Sequence, residues 1–560
     1  MAATASQIRP GAYYDSVVLM QLQRGLLTLP GVLDAGAVMA TPVNLELLEA
    51  SGLRPVSGAG ADDLLIVVKA ENKESAEGAL GQIDALMTRR RASGEVDFRP
   101  KSLDAAAHRL PEAAWVLVSV PGRFAGGVAR DALHLGKNVF LYSDNVSLED
   151  EVELKREAQG RGLLVMGPDC GTAIVGGVGF GFANRTRRGS IGLVAASGTG
   201  LQTVASAIHH LGSGISQAIG TGGRDLHGEI GAASARQALD VLRRDPETSV
   251  IVLISKPPEP EVAARVAAAA RRTGKPVVLN LIGLPGGGRS LGNLHFASGL
   301  QEAAEIAVEL ASSPAIPADA PPPVRGMARY LRALFSGGTL AYEAVLGLQI
   351  ALHPLHTNVP LHESQRMQDP LHSTGHAILD LGADQFTVGR LHPMIDNDLR
   401  LRRLRQEAAD PETAVILLDV VLGEGSHPDP AAELAPAVAE ALERSDLKVL
   451  VCVIGTDLDP QGMEGQIEKF RASGARVFTG LREALDEIAR LLPPEAEPWP
   501  TPVSLEAFRT PAAINVGLES FYESLVAQGA ATLHVDWRPP AGGDERLMAI
   551  LARMKSPSGS

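Results

Sequence analysis

Two short runs of this chain, Ser197-Gly198-Thr199-Gly200 and Gly220-Thr221-Gly222-Gly223, mix glycines with hydroxyl side chains where an apolar run gives way to a helix. Ile191 to Ala195 is the apolar run before the first turn. Leu201, Val204, Ala205 and Ile208 fall on one face of the segment after it. That is the spacing of a strand, a tight turn and a helix start. Small residues there let a ligand approach the backbone, and the unpaired N–H groups of the first helical turn favour an anion. A phosphate or a carboxylate is the ligand these turns suit. Glycine also serves a tight turn with no ligand, so two such turns carry more weight than either alone. A third cluster, Gly389-Arg390-Leu391-His392-Pro393-Met394-Ile395-Asp396, offers different chemistry. Arg390 suits a two-pronged clamp on a carboxylate, and His392 suits donation of a proton to a departing nitrogen.

Positioning such groups takes parallel strands that end side by side, and the composition suits them. The chain has 560 residues, 45% of them apolar and 4% aromatic, with 59 Gly and 37 Pro. That describes three or four domains of α/β units joined by tight turns. A net charge of −14 argues against a nucleic-acid or anionic-membrane surface. Cys170 and Cys452 are the two cysteines, too few for a disulfide framework or a cysteine zinc site. His372 and His376 lie four apart, but Ser373-Thr374-Gly375 between them favours a turn over a helix, so no metal is expected. The N-terminus lacks an apolar signal core and no run is long enough to span a bilayer. A reduced, cytoplasmic protein is expected.

Residues 1–95 read as a small ferredoxin-like α+β domain, with strands at Ser16–Leu22, Gly36–Ala40 and Leu64–Ala70 and helices at Asn44–Ala50 and Glu74–Met87. Its expected role is assembly. Residues 96–186 read as half of a doubly wound sheet. Trp115–Val120, Val139–Tyr142 and Leu163–Met166 are its buried parallel strands, and Ala125–Leu135 is a helix. A ligand would sit at the strand ends, against Pro121, Arg123, Phe124, Asn145 and the run Gly167-Pro168-Asp169-Cys170-Gly171. No G-x-G-x-x-G opens this domain, so a dinucleotide is not expected.

Residues 187–313 and 324–492 read as a duplication. Asp245-Pro-Glu-Thr-Ser-Val-Ile-Val-Leu253 returns as Asp410-Pro-Glu-Thr-Ala-Val-Ile-Leu-Leu418, and Ser298–Ala303 returns as Thr479–Ala484. The turn recurs as Ser336-Gly337-Gly338-Thr339. Two related sheets suggest facing halves whose helix N-termini converge on one phosphoryl group. Proline-rich linkers, Pro314–Pro323 and Pro493–Pro502, separate the halves and lead to a C-terminal docking tail, 503–560. In that tail Trp537 beside Arg538 reads either as a binding anchor or as a cap on the body.

The motifs in series resemble a known family. Val120-Pro-Gly-Arg-Phe124, Gly167-Pro-Asp-Cys-Gly171, Ala195-Ala-Ser-Gly-Thr-Gly200 and Gly220-Thr-Gly-Gly-Arg224 resemble the signature turns of the succinyl-CoA synthetase α subunit. Residues 324–492 resemble the ligase domain of its β subunit. The fused layout, with the leading small domain and the tail His534-Val-Asp-Trp-Arg-Pro-Pro540, resembles the FdrA family. The resemblance implies an α/β chain with a Rossmann-like CoA-binding-type domain and two flavodoxin-like synthetase-type domains after the ferredoxin-like one. It also implies a subunit of an oxamate carbamoyltransferase, converting oxalurate and phosphate to oxamate and carbamoyl phosphate in allantoin breakdown. An ADP-forming acyl-CoA synthetase or a non-catalytic scaffold is the alternative.

Departures from the family's motifs shape the expected site. Asn293 in Arg289-Ser-Leu-Gly-Asn293 stands where the synthetases carry their phosphorylated histidine. Lys256 in Ser255-Lys-Pro-Pro258 stands where they carry a glutamate, which suits a phosphate or carbamoyl phosphate held directly by a cation. The synthetases' first CoA turn is missing, so CoA is not an expected cofactor. The expected catalytic residues are Lys256, Arg390 and His392. The expected phosphate ligands are Ser197, Gly198, Thr199, Gly200, Gly222, Gly223, Ser336, Gly337, Gly338 and Thr339, with Gly423-Glu424-Gly425 facing Lys256. Other subunits of a complex are the expected partners, reached through the tail and the N-terminal domain, beside a small-molecule substrate.

Overall fold

The computed structural model describes residues 2–10, 16–53, 58–60, 63–88, 99–283, 290–313, 329–493 and 497–539. The linker Pro314–Pro323, Arg289 of the loop before Asn293, and the end of the tail lie outside the described residues.

The first domain runs β1 (Ala3–Arg9), α1 (Ser16–Leu27), β2 (Val32–Met39), α2 (Pro42–Ala50), β3 (Leu64–Ala70), α3 (Lys73–Gly81) and α4 (Ile83–Thr88). Its sheet order is β1-β3-β2, antiparallel throughout, with the apolar run Leu64–Val68 buried at the centre. One expectation fails here. Ser16–Leu22 is a helix, because Leu19, Leu22 and Leu26 recur at helical spacing and all three are buried on one face. That period outweighs the strand preference of Val17 and Val18.

The second domain contributes α5 (Leu103–Arg109), β4 (Trp115–Val118), α6 (Gly122–His134), β5 (Asn138–Leu141), α7 (Leu148–Arg161) and β6 (Val165–Met166). The third follows with β7 (Thr172–Val175), β8 (Val178–Gly181), β9 (Arg188–Ala195), α8 (Gly198–His210), β10 (Ile215–Gly220), α9 (Ala233–Arg244), β11 (Val250–Ser255), α10 (Pro260–Arg271), β12 (Val277–Leu281), β13 (Ser290–Leu291), β14 (Leu294–Phe296) and α11 (Leu300–Ser312). Its eight-stranded sheet has the order β13-β14-β12-β11-β9-β10-β7-β8. Chain order reverses at β9, which opens a crevice at the carboxyl end of that strand.

The fourth domain repeats the plan: β15 (Tyr330–Phe335), α12 (Gly338–Leu348), β16 (Leu355–Thr357), β17 (His376–Asp380), α13 (Asp384–Thr387), α14 (Asp398–Ala409), β18 (Thr413–Val421), α15 (Pro430–Ala441), β19 (Lys448–Ile454), α16 (Met463–Ala472), β20 (Arg476–Phe478) and α17 (Leu481–Leu491). Its parallel sheet, β16-β17-β15-β18-β19-β20, reverses at β15. The echoed Asp-Pro-Glu-Thr runs build the same turn into both sheets. Asp245 Oδ1 accepts from Glu247 N–H and Asp410 Oδ1 from Glu412 N–H, which launches β11 and β18 respectively.

The tail completes the second domain. Its β21 (Ala513–Val516), α18 (Glu519–Ala527) and β22 (Thr532–Val535) put two parallel strands beside β4, giving the order β22-β21-β4-β5-β6. Trp537 stacks edge-on against Phe124, with ring centres 5.6 Å apart. It is a cap on the body, the plainer of its two readings. Among the described residues no helix is long and apolar enough to cross a membrane.

Candidate functional site

Three of the expected turns meet at one place. A Cβ on Gly222 would stand 2.4 Å from Pro168 O, and one on Gly223 would stand 3.4 Å from Asp169 Oδ2. Gly198 faces Gly171 and Thr172. The loop Gly167–Gly171 after β6, the turn Ser197–Gly200 after β9 and the turn Gly220–Gly223 after β10 therefore pack backbone against backbone. Glycine at 222, with φ +90°, permits the approach that any side chain would block.

At the centre lies the N-terminus of α8, a helix of 13 residues. Ser197 Oγ accepts from Gly200 N–H at 3.2 Å, while the N–H groups of Gly198 and Thr199 have no acceptor among the described residues. Thr172 stands beside Gly198, and Thr221 follows β10 with its N–H on Ala195 O; they are 1% and 0% exposed, and neither hydroxyl has a hydrogen-bond partner among the described residues. Thr172 Oγ1 lies 3.7 Å from where a Cβ on Gly198 would stand. A buried hydroxyl without a partner costs about 1–3 kcal/mol, so its presence beside open helix donors points to a ligand oxygen. The walls are braced by a buried set. Lys155 Nζ reaches Glu151 and Asp225 at 2.9 and 2.8 Å and donates to Thr221 O, and Asp225 caps α9 through Ser234 and Ala235 N–H.

Lys256 follows the last residue of β11. Ile254 is paired with Ala195, and its carbonyl accepts from Ala196 N–H, so Lys256 leaves the sheet on the strand next to the one that leads into the Ser197 turn. Its side chain is exposed and makes no hydrogen bond or ion pair among the described residues.

The second turn departs from expectation. Ser336 N–H and Gly337 N–H donate to the Asp419 carboxylate at 2.7 and 3.0 Å, and Ser336 Oγ adds a contact at 3.0 Å. Asp419 is fully buried and paired with Arg400 Nη2 at 3.1 Å. Asp380 lies alongside, with Oδ2 2.8 Å from where a Cβ on Gly338 would stand. The expected phosphate cradle at Ser336, Gly337, Gly338 and Thr339 is thus filled in part by an internal carboxylate. Two acids there disfavour a further dianion. Burial raises the Asp380 carboxyl above the usual range, with Asp419 adding to the shift.

The other expected residues of this domain do not gather around an anion. His392 Nδ1 accepts from Met394 N–H, which turns Nε2 towards Gly382 and Asp380. Arg390 is exposed, and among the described residues no side-chain bond joins it to His392 or Asp396. Gly423 is pinned through Gln461, and Glu424 and Gly425 face solvent. No hydrogen bond or ion pair among the described residues joins Lys256 or the Ser197 turn to the Ser336 turn or to Gly423–Gly425. The halves meet instead through α10 and the β13–β14 hairpin, where Arg271 donates to Ala489 O and Arg482 to Ser290 Oγ. Ile350, just past the C-terminal end of α12, joins the third domain's core. The helix end that touches the partner half is the wrong one for opposed N-termini.

In the second domain Gly122 lets the Asp144–Asn145 backbone approach, and Asn145 takes φ +53°. Pro121, Arg123 and Phe124 thus sit beside Asn145, with Arg123 stacked over Phe124 at 4.9 Å. A cavity of about 550 Å³ lies over these strand ends, roofed by Leu19 and Met20 of α1 and walled by Tyr142, Asp144 and Asp169. Burial pushes the Cys170 thiol up to about 12, which makes it a packing residue. Asn293 Nδ2 donates to Ala270 O and Lys275 O, so it pins the hairpin turn. His376 opens β17 with Nδ1 accepting from Leu331 N–H, and His372 pairs with Asp369. Among the described residues no group of three or more His, Cys, Asp or Glu is arranged to hold a metal.

Sequence reasoning missed Thr172, Lys155, Asp380 and Asp419. Asp419 had a signal: in the 165-residue echo it stands where the first copy has Ile254.

The comparisons agree with this architecture. Residues 334–491 match the CoA-ligase family, residues 188–313 the succinyl-CoA ligase like flavodoxin domain, and residues 1–101 the AllF, heavy metal-associated domain. Residues 1–101 contain neither Cys nor His, so the thiolate or imidazole ligands a heavy metal prefers are missing. The chain is 40% identical over 486 residues to the uncharacterized protein YahF of Escherichia coli, covering 83% of this chain and 94% of that one. It is 30% identical over 146 residues to the ADP-forming succinate–CoA ligase α subunit of Aquifex aeolicus, covering 25% of this chain and 47% of that subunit. Among solved structures, an acetyl-coenzyme A synthetase of Ca. Korarchaeum cryptofilum with phosphate and ADP aligns over 67% of this chain and 82% of its own. It shares 16% identity at a TM-score of 0.28, too low to bear an argument.

Proposed function

Because the chain belongs to the family of the uncharacterized Escherichia coli protein YahF and carries the two flavodoxin-type domains of the CoA ligases, we propose that it acts on an acyl phosphate held at the N-terminus of α8. The carrying observation is the buried, unpartnered Thr172 hydroxyl beside the open N–H groups of Gly198 and Thr199. These donors are aimed where charge develops on a transferring phosphoryl group, and being fixed they need no reorganisation during reaction. Lys256 supplies the neutralising charge from the next strand.

Acyl-CoA ligation is the form of this chemistry that the relatives support. There the acyl phosphate loses phosphate as a thiolate bonds to the acyl carbon. Carbamoyl transfer is a second form, favoured by Asn293 and by the FdrA-type layout with its AllF-type first domain. In that form a phosphate oxygen bonds to the carbamoyl carbon of oxalurate and the C–N bond breaks. The nitrogen leaves as the amide of oxamate, taking the proton that phosphate gives up. Asn293 favours it because an amide bonded to two carbonyls cannot carry phosphate between sites.

One experiment covers both forms. The purified chain, alone and with its partner subunits, is assayed for carbamoyl phosphate from oxalurate plus phosphate, beside an ATP, CoA and carboxylate control. Thr172→Val, which keeps the shape and removes the hydroxyl, is expected to weaken phosphate saturation about tenfold in whichever reaction proceeds. Full activity in that variant would sink the assignment of the α8 turn.

A further inference from the structure

Away from the α8 turn, a cavity of about 370 Å³ lies where three parts of the chain meet. Helices α9 and α10 give it Arg236 and Arg265, the C-cap of α10 gives Arg272, the stretch after α12 gives Ile350 and His353, and the segment leading to β21 gives Glu497 and Trp499. Glu497 holds the arginines together. Its Oε2 is 2.5 Å from Arg236 Nη1 and its Oε1 is 3.0 Å from Arg265 Nε. Arg272 donates to the Glu497 backbone carbonyl and stacks 4.9 Å from the centre of the Trp499 ring. Glu261, 3.5 Å from Arg265, is the other carboxylate on the wall. Three arginines against two glutamates leave one net positive charge before His353 is counted.

A segment tethered by one carboxylate needs one arginine. Three of them, with room left beside them and an apolar floor of Ala264, Ala268 and Ile350, suit a larger anion. Burial holds the Arg236 guanidinium below the usual arginine range, and Arg265 and Arg272 push the same way against the pull of Glu497. More negative charge would relieve that crowding. The Glu497 side chain is 47% exposed, so its pairs are exchanged at little cost.

We propose that this cavity binds a small organic anion, whose oxygens replace the Glu497 carboxylate on Arg236, Arg265 and Arg272 while its apolar body lies on Ala264, Ala268 and Ile350. Carboxylates and phosphate esters share this chemistry, and Glu497 is the internal competitor for both. Arginine's planar fork suits either group. Because the walls come from the third domain, the fourth domain and the segment that enters the second domain's sheet, an occupied cavity joins all three.

Calorimetric titration of the full chain with citrate and, separately, with pyrophosphate tests the proposal. Glu497→Gln removes the competitor's charge and is expected to tighten binding about tenfold. Arg272→Met, at an exposed position far in the fold from the α8 turn, is expected to weaken it about tenfold without moving the melting temperature. A response to citrate alone assigns carboxylates, and one to pyrophosphate alone assigns phosphates. The proposal fails if neither anion binds the Glu497→Gln chain saturably by about 10 mM, or if Arg272→Met leaves binding unchanged.

Discussion

Asp419→Asn tests the claim that the fourth domain's turn holds its own anion. The carboxylate takes two backbone N–H bonds and the Ser336 hydroxyl, and it faces Arg400, which is 2% exposed. Asparagine keeps the shape but turns an NH2 group against either Ser336 N–H or Gly337 N–H, and it leaves Arg400 with no counter-charge at that contact. Removing one partner of a buried ion pair costs about 3–5 kcal/mol. For a domain of this size that is a fall of about 6–20 °C in its melting transition. The tryptophans, Trp115, Trp499 and Trp537, lie outside residues 324–492, so fluorescence would miss the event. Hydrogen exchange of peptides from β18 and β19, with calorimetry of the whole chain, reports it directly. The double variant Asp419→Ile with Arg400→Met places the first copy's residue here and removes the stranded charge. It is expected to recover most of the loss, since apolar replacements of buried pairs are often neutral. A cost below about 1 kcal/mol for Asp419→Asn would mean that the turn does not depend on this carboxylate.

The remaining expectations are shorter. Lys256→Met keeps the stem and removes the charge, so it should weaken phosphate saturation or turnover about ten- to a hundredfold with little change in melting; unchanged kinetics would move the anion away from β11. Burial holds His376 and His534 down to about 4, so the unfolded chain binds more protons between pH 6.5 and 4 and stability falls as the pH drops through that window. His376→Asn, whose side-chain oxygen can still accept from Leu331 N–H, should flatten the fourth domain's share of that fall, by up to about 3 kcal/mol at pH 4. Burial pushes both cysteine thiols up to about 12, so native protein should resist iodoacetamide at pH 8 and take up two labels once unfolded.

Much of the architecture was legible because parallel strands buried on both faces announce themselves as continuous apolar runs. Trp115–Val118, Val250–Ser255 and Lys448–Ile454 all stand where such runs end in turns. The Asp-Pro-Glu-Thr echo was legible for a local reason: each copy is a side-chain turn whose residues are fixed by hydrogen bonds two positions apart. What escaped depends on contacts distant in sequence. The tail's strands complete a sheet begun some 400 residues earlier, and no local period records which sheet a strand joins. Thr172 opens an antiparallel strand, and only the meeting of three turns gives its hydroxyl an open helix end to face. Ser16–Leu22 failed for a different reason, since a window this short leaves out Leu26, the residue that completes the helical period of Leu19 and Leu22.

The duplication explains why one turn has an apolar neighbour and the other an internal carboxylate. The two sheets reverse chain order at β9 and at β15, so both place a glycine turn and a helix N-terminus over a crevice. In the third domain the neighbouring strand puts Ile254 against that turn, with its Cγ2 3.0 Å from where a Cβ on Gly200 would stand. An apolar neighbour makes no claim on the N–H groups and leaves them for a ligand. In the fourth domain the same register position is Asp419, whose carboxylate takes the N–H groups of Ser336 and Gly337, the two residues just before α12, and has Arg400 beside it. A single isoleucine-to-aspartate difference between the copies therefore puts a buried ion pair beside the second copy's crevice, where the first copy has an apolar wall. It also accounts for a chain in which the halves join at α10 and α17 rather than around a shared phosphate. With a buried carboxylate already at one copy's turn, a dianion shared between the two helix N-termini is disfavoured.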